Sequence, residues 1–279
     1  MKSILRVSIL IFLISNTSSF AQGFQGKAYY QTKTTFDMKM DSSRVSTEQQ
    51  DRIKEMMKKR FEKVYELSFN ASESIYKEEE QLEQPGKGGF RMMGSFGSGK
   101  NYKNTKSKTY AEEQNLMGKQ FLVKDSLKVM DWEFQDESKM IGKHLCFKAI
   151  ATKQVEQNAF SFGRRNRNRS EEEKPKDSLK TIEIVAWYTV DIPVNHGPDE
   201  YWGLPGLILE VNADKTQIVC TKIVINPKEK TEIKEPTKGD VVSKKEFEKI
   251  RMKKMKEMRE VYGGDRRNGG SGRRIMIGG

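Results

Sequence analysis

The segment from Trp187 to Ile208 constrains this chain more than any other. Trp187-Tyr188-Thr189-Val190 reads as a strand, Gly206-Leu207-Ile208 starts another, and the connection between them carries Pro193, Pro198 and Pro205. Proline fixes φ near −65° and holds the residue before it extended, so the connection has few conformations open to it. Pro205-Gly206 suits the central pair of a type II turn, with Gly206 supplying a positive φ. Tyr201, Trp202 and Leu204 load the same loop with apolar surface. A loop of that composition is expected to tuck into the mouth of a sheet or barrel rather than stand in water.

Short strand-like runs surround this segment. Gly26–Met40 alternates weakly. Tyr65, Leu67 and Phe69 alternate with Glu66 and Ser68, turn at Asn70–Glu73 and return through Ser74–Lys77. Further runs lie at 101–111, 119–123, 129–134, 144–155, 181–190, 206–211 and 217–225. Two helices interrupt them. Thr47 is read as the cap of the first, with Gln50 closing a capping box. Ile53, Met56, Met57, Arg60, Phe61 and Val64 follow a 3.6-residue rhythm expected to form one buried stripe. Ser243-Lys244-Lys245-Glu246 opens the second, a very basic helix stopped by Gly263-Gly264. The fold class is therefore mainly β: a single antiparallel, strongly curved sheet or partly open barrel, with one early and one C-terminal helix.

The N-terminus reads as an address. Met1–Arg6 carries two cations and no acid, Val7–Ile14 is apolar but for Ser8, and Ser19 and Ala21 stand at −3 and −1 of a cut before Gln22. These are the regions of a secretory signal, too short to remain as an anchor. The expected organisation is 1–21 signal peptide and 22–236 β domain, with a helix at about 47–64 and a charged loop at about 161–178. A basic helix and Gly/Arg-rich tail, 237–279, complete it. Gln84–Gly99, with Pro85 and six glycines, is read as a loop, and its context is not that of a phosphate cradle.

Charge and composition exclude several function classes. Lys and Arg total 51 against 39 Asp and Glu, a net charge of +12, yet basic and aromatic residues do not interleave as nucleic-acid binding asks. Two cysteines and two histidines are too few for a zinc module or a histidine-rich site. Met252, Met255 and Met258 could in principle suit Cu(I), but they drift round a helix among lysines that repel a cation. No Gly-x-Ser-x-Gly elbow or His-Glu-x-x-His motif occurs. His196 with Asp199 and Glu200 is the one acid–base constellation, and the plainer reading makes His196 a loop histidine near solvent. The sequence therefore singles out no catalytic residue, metal ligand or cofactor. Cys146 and Cys220, in an exported chain and on faces shared with His144 and Lys residues, are a candidate disulfide. The chain-entropy gain would be about 4 kcal/mol.

Gly203-Leu204-Pro205-Gly206-Leu207-Ile208, after a Trp-Tyr-Thr strand and Ile192-Pro193, resembles the GLPGLI family of secreted bacterial proteins. Leu67–Ser74, Asp131-Trp132-Glu133 and Lys143–Ala149 are similar to that family too, so the resemblance covers most of the chain beyond the leader. His196 departs from it, since an aromatic or small residue is expected there. The resemblance implies an uncharacterised protein of the Gram-negative envelope, periplasmic or on the outer surface. The family's pattern is distantly similar to the curved sheets of lipoprotein carriers. On that basis the chain is expected to be a non-enzymatic binding or carrier protein for an apolar ligand. Trp187, Tyr201, Trp202, Gly203, Leu204, Pro205 and Gly206 would form its pocket or a structural loop. The alternative is a structural or interaction protein accessory to an outer-membrane transport system, and a hydrolase is the remotest reading. Expected partners are a lipid or an outer-membrane or periplasmic protein, without nucleic acid and without a membrane span once the leader is removed.

Overall fold

The computed structural model describes residues 23–35, 46–79, 96–156 and 179–264. The signal segment, the 161–178 loop and the tail beyond Gly264 lie outside the described residues. Twelve strands and two helices are formed among the described residues. The strands are β1 (Gly26–Thr34), β2 (Lys63–Phe69), β3 (Glu73–Glu78), β4 (Phe96–Asn104), β5 (Thr109–Leu116) and β6 (Lys119–Ser126), then β7 (Glu133–Ile141), β8 (His144–Glu156), β9 (Leu179–Thr189), β10 (Leu207–Ala213), β11 (Thr216–Ile225) and β12 (Asp240–Val242). The helices are α1 (Thr47–Phe61) and α2 (Lys244–Gly264).

All twelve strands form one sheet in the order β12-β6-β5-β4-β3-β2-β1-β11-β10-β9-β8-β7. Every pairing is antiparallel except β12 on β6. The sheet is not closed, and its edges are β7 and β12. Chain reach alone requires it to be rolled. Ten strand spacings separate β6 from β7, about 48 Å if flat. Yet Ser126 joins Glu133 through seven peptide steps, which reach about 25 Å at most. Of the two expected forms, a strongly curved sheet or a partly open barrel, the chain forms one large curved sheet that is not closed into a barrel.

One face of the rolled sheet holds the main core. Tyr30, Leu67, Phe69 and Tyr76 come from β1–β3, and Ala149, Ile184, Ala186, Tyr188, Val211 and Ile218 from β8–β11. Ala149 faces Ala186 across the strands, which leaves room above β8 and β9 for further chain. The other face is covered locally, where Ile233 packs against Ile75, Tyr102, Ala111 and Leu122.

Three local expectations change. Ser46, not Thr47, caps α1: Gln49 N donates to Ser46 Oγ and Ser46 N to Gln49 Oε1, both at 3.3 Å. The box is shifted by one residue because Ser46 and Gln49 share the same spacing as Thr47 and Gln50. The described part of the α1 stripe is not buried, since Met56 is 61% exposed and Ile53 only half-buried, while Met57, Arg60 and Phe61 lie outside the described side chains. The Gly-rich stretch ends sooner than expected, because β4 starts at Phe96 and includes Gly97 and Gly99. There Gly99 lies so close to Glu113 that a Cβ would come within 2.7 Å of it. At the C-terminus the second capping box forms as read, with Glu246 N donating to Ser243 Oγ at 3.2 Å. Phe247 of α2 packs edge-on against Phe121, and β12 pairs with β6, so residues 240–247 are tied to the sheet.

Candidate functional site

Strand β9 ends at Thr189 and β10 starts at Leu207, and the 190–206 loop between them enters the core. Ile192, Val194, His196, Tyr201, Trp202 and Leu204 are all buried. A buried irregular segment must find partners for its backbone. Here Val194 N donates to Ile192 O at 2.8 Å, Tyr201 N to Pro198 O at 3.0 Å and Gly203 N to Asn195 O at 3.1 Å. Leu207 N donates to Ile192 O and Ile208 N to His196 O, each at 3.0 Å, stitching the loop to the strand that follows it.

The expected type II turn is not what Gly206 provides. The positive φ falls at Gly203, at 97°. Gly206 is required for space instead: a Cβ there would lie 2.0 Å from the Thr189 carbonyl oxygen. The proline–glycine pair thus lets two backbones touch where the loop returns to the sheet.

Side chains from distant strands hold the loop. Lys103 of β4 is fully buried. Its Nζ donates to the main-chain carbonyls of Gly197 (2.8 Å), Asp199 and Tyr201 (3.4 Å). Burial pulls its pKa down to about 8, and the Asp199 and Glu200 carboxylates oppose that shift. Lys153 of β8 pairs with Glu200, and the Tyr30 hydroxyl of β1 donates to Ile208 O at 2.7 Å. Two indoles fasten the loop to the crossing that joins β6 to β7. Trp202 Nε1 donates to Lys128 O at 2.7 Å, and Trp132 Nε1 donates to Trp202 O at 2.9 Å. Strands β4 and β8, seven spacings apart in the sheet, are thereby joined through one loop.

His196 is not near solvent; it is fully buried. Its Nε2 donates to Asn70 O at 3.1 Å, and its Nδ1 has no partner among the described residues. Burial, and after it the Lys103 charge, push its pKa down to about 3, so the ring is neutral. Its ring is held by a main-chain carbonyl rather than a carboxylate, and Glu200 pairs with Lys153. The acid–base constellation is therefore not assembled. The residue that organises this site, Lys103, is one the sequence reading passed over. A lysine in a polar strand looks solvated, and nothing near it in sequence signals the carbonyls it serves.

Trp187 is only partly buried and packs against the main cluster from its side. Strand alternation sends it to the face opposite Tyr188. There Lys139 Nζ sits 4.3 Å above its ring and pairs with Glu210 at 2.6 Å. The expected disulfide is absent, and Cys146 and Cys220 are free, buried thiols. They stand in β8 and β11, three strand spacings or roughly 14 Å apart along the sheet, while a bridge needs Cα atoms about 4.4–6.8 Å apart. Both belong to the apolar cluster after all. Burial is the main cause that pushes their pKa values up, to about 11 and about 12.

Two surface hollows among the described residues lie away from the loop. One, of about 270 Å³, is lined by Gly23, Phe24, Gln25, Asn70, Ala71, Ser72 and Lys230. The other, of about 340 Å³, lies along β9 and β10 beside Lys180, Glu183, Asn212 and Asp214. Neither touches Trp187, Tyr201, Trp202 or Leu204. The described residues hold no cluster of His, Cys, Asp and Glu suited to a metal, and no helix among them is long and apolar enough to cross a membrane.

Residues 132–210 match the family described as "Protein of unknown function (Porph_ging)". The match begins at the indole that holds Trp202, ends at the carboxylate that holds Lys139, and includes the whole loop. A comparison with curated proteins returns no match. Among solved structures the chain is similar to PNGF-II in its C2 and P21 crystal forms, at 11% identity with TM-scores of 0.48 and 0.47. Each likeness covers 82% of this chain and 33% of that one, so the chain spans about a third of the length of those proteins.

Proposed function

We propose that the chain is an exported envelope protein with a structural or interaction role, and that the 190–206 loop is an architectural plug rather than the wall of a ligand pocket. The observation that carries this reading is the Lys103 cradle. A fully buried ammonium is committed to three loop carbonyls, where a carrier would need open apolar space. The export half of the reading rests on the N-terminal address and on the resemblance of Gly203–Ile208 to the GLPGLI family. This reading is preferred to the carrier reading because Tyr201, Trp202 and Leu204 are buried and Trp202 is hydrogen-bonded to the β6–β7 crossing. Two measurements test the proposal. Cell fractionation with N-terminal sequencing of the mature protein is expected to find it in the envelope, starting at Gln22. Mass spectrometry of solvent extracts from the purified protein is expected to find no lipid in stoichiometric amount. A leader retained in the cytosol would overturn the export half, and one tightly held acyl chain per molecule would overturn the plug.

A further inference from the structure

Among the described residues, helix α2 packs on the sheet through its first two turns. Phe247 meets Phe121, and Ile250 packs against the cluster of Leu116, Phe121 and Val123. Past that point apolar side chains reach solvent, with Met252 65% and Met255 39% exposed. Lys245, Lys249, Lys253 and Lys256 follow one another at intervals of four, four and three, so they share one side of the helix, and all are exposed. Met252 sits beside that row, three residues after Lys249 and four before Lys256. Residues 244–258 hold seven basic and three acidic side chains, and two of those acids are engaged by Arg251 and Lys254 at 2.7 and 2.8 Å. What the helix offers outward is therefore a lysine row bordering exposed thioethers.

We infer that this face of α2 docks on an anionic phospholipid surface. Charge complementarity selects the partner. Lysines hold their ammonium groups at the headgroups on flexible stems while methionines enter the acyl boundary, the arrangement of helices that lie in a membrane interface. Duplex nucleic acid would take the charge, but it has no use for exposed thioethers. The inference is independent of the plug reading, since it concerns a different element and a purified protein.

The full chain lacking its leader is mixed with vesicles of phosphatidylcholine alone or with phosphatidylglycerol added, and sedimented at low and high salt. Binding is expected only to the phosphatidylglycerol vesicles and is expected to fall away at high salt. The double variant Lys253→Gln/Lys256→Gln should bind roughly 25-fold more weakly, about fivefold for each charge removed. Met252→Ser/Met255→Ser should lose roughly tenfold while its thermal midpoint stays in place. Changing Arg164, Arg165, Arg167 and Arg169 to Gln should leave binding intact. Equal binding to neutral vesicles, no effect of the lysine pair, or loss on changing the 164–169 arginines would each overturn the inference. So would binding to a mixed-sequence DNA duplex with none to vesicles.

Discussion

The 190–206 loop and helix α1 invert the usual relation between regularity and burial. Helix α1 has a capping box, an apolar rhythm and good helix formers, yet Met56 on its stripe is exposed. The loop has no regular structure, yet it lies at the centre of the main core. Loops normally run over surfaces because their backbone groups need water. This one satisfies that need internally. Its own turns pair some of its groups, and Lys103, Trp132, Trp202 and His196 tie it to three separate places: strand β4, the β6–β7 crossing and the β2–β3 turn. Burial here follows hydrogen-bond partners supplied from a distance, and periodicity within one element does not report those.

The first way to break this contrast is at Gly206. Gly206→Ala would place a methyl carbon 2.0 Å from the Thr189 carbonyl, backbone against backbone, where nothing can give way cheaply. The expected loss exceeds about 4 kcal/mol or abolishes folding, read from urea titration or soluble yield. A loss under about 1 kcal/mol would mean the loop sits loosely on β9.

Lys103→Met comes next. The thioether cannot donate, so three carbonyls are left in the core without their donor, and about 2–4 kcal/mol should be lost. The same variant has a pH signature. The folded pKa of about 8 lies below the ordinary lysine value of 10.5, so between those pH values the unfolded chain holds more protons than the folded one. The lysine's contribution to stability therefore rises with pH from 8 to 10.5, and that rise should be missing in the methionine variant. Parallel alkaline profiles for the two proteins would show that the ammonium is not buried as described.

Most of the fold was legible in the sequence. The β2–β3 hairpin was, because Asn70 turns the chain by accepting from Ser72 N and Glu73 N, a local device that its residue type announces. Strands β9, β10 and β11 were, because their apolar content is dense. Curvature was read from the general pattern, and its cause, the short crossing from Ser126 to Glu133, needed the strand order. The candidate site was legible only in part. Tyr201, Trp202 and Leu204 were expected inside and are. Lys103 was missed because its partners are 94 to 98 residues away. The cysteines were misjudged because one side of β8 and β11 looked polar, whereas the rolled sheet buries parts of both faces. Trp187 was grouped with its sequence neighbours, although alternation alone sends it to the opposite face from Tyr188.

An effect confined to acid pH is expected at His196. Its folded pKa of about 3 lies below the ordinary 6.5, so the unfolded chain takes up a proton first as pH falls. The contribution is fully present above pH 6.5 and is lost toward pH 3, at most about 1.4 kcal/mol per pH unit. Equilibrium unfolding of His196→Leu should show a flatter acid limb over that window. Trp132→Phe, which leaves the Trp202 carbonyl without its indole donor, should cost about 1–2 kcal/mol at all pH values. A pH-dependent deficit there would point to a different partner for Trp202.

The smallest effect belongs to α1, and it tests the contrast from the opposite side. Met56→Lys places a charge on what the heptad rhythm marks as the buried stripe. With Met56 61% exposed, the substitution removes little buried area, and lysine forms helix about as well as methionine. The expected change in the urea midpoint is within about 0.5 kcal/mol. A loss of about 2 kcal/mol or more would mean that the stripe is covered in solution, by a second copy of the chain or by a partner. The same titration at several protein concentrations separates those two cases, because a self-association contribution grows with concentration and a purely intramolecular one does not.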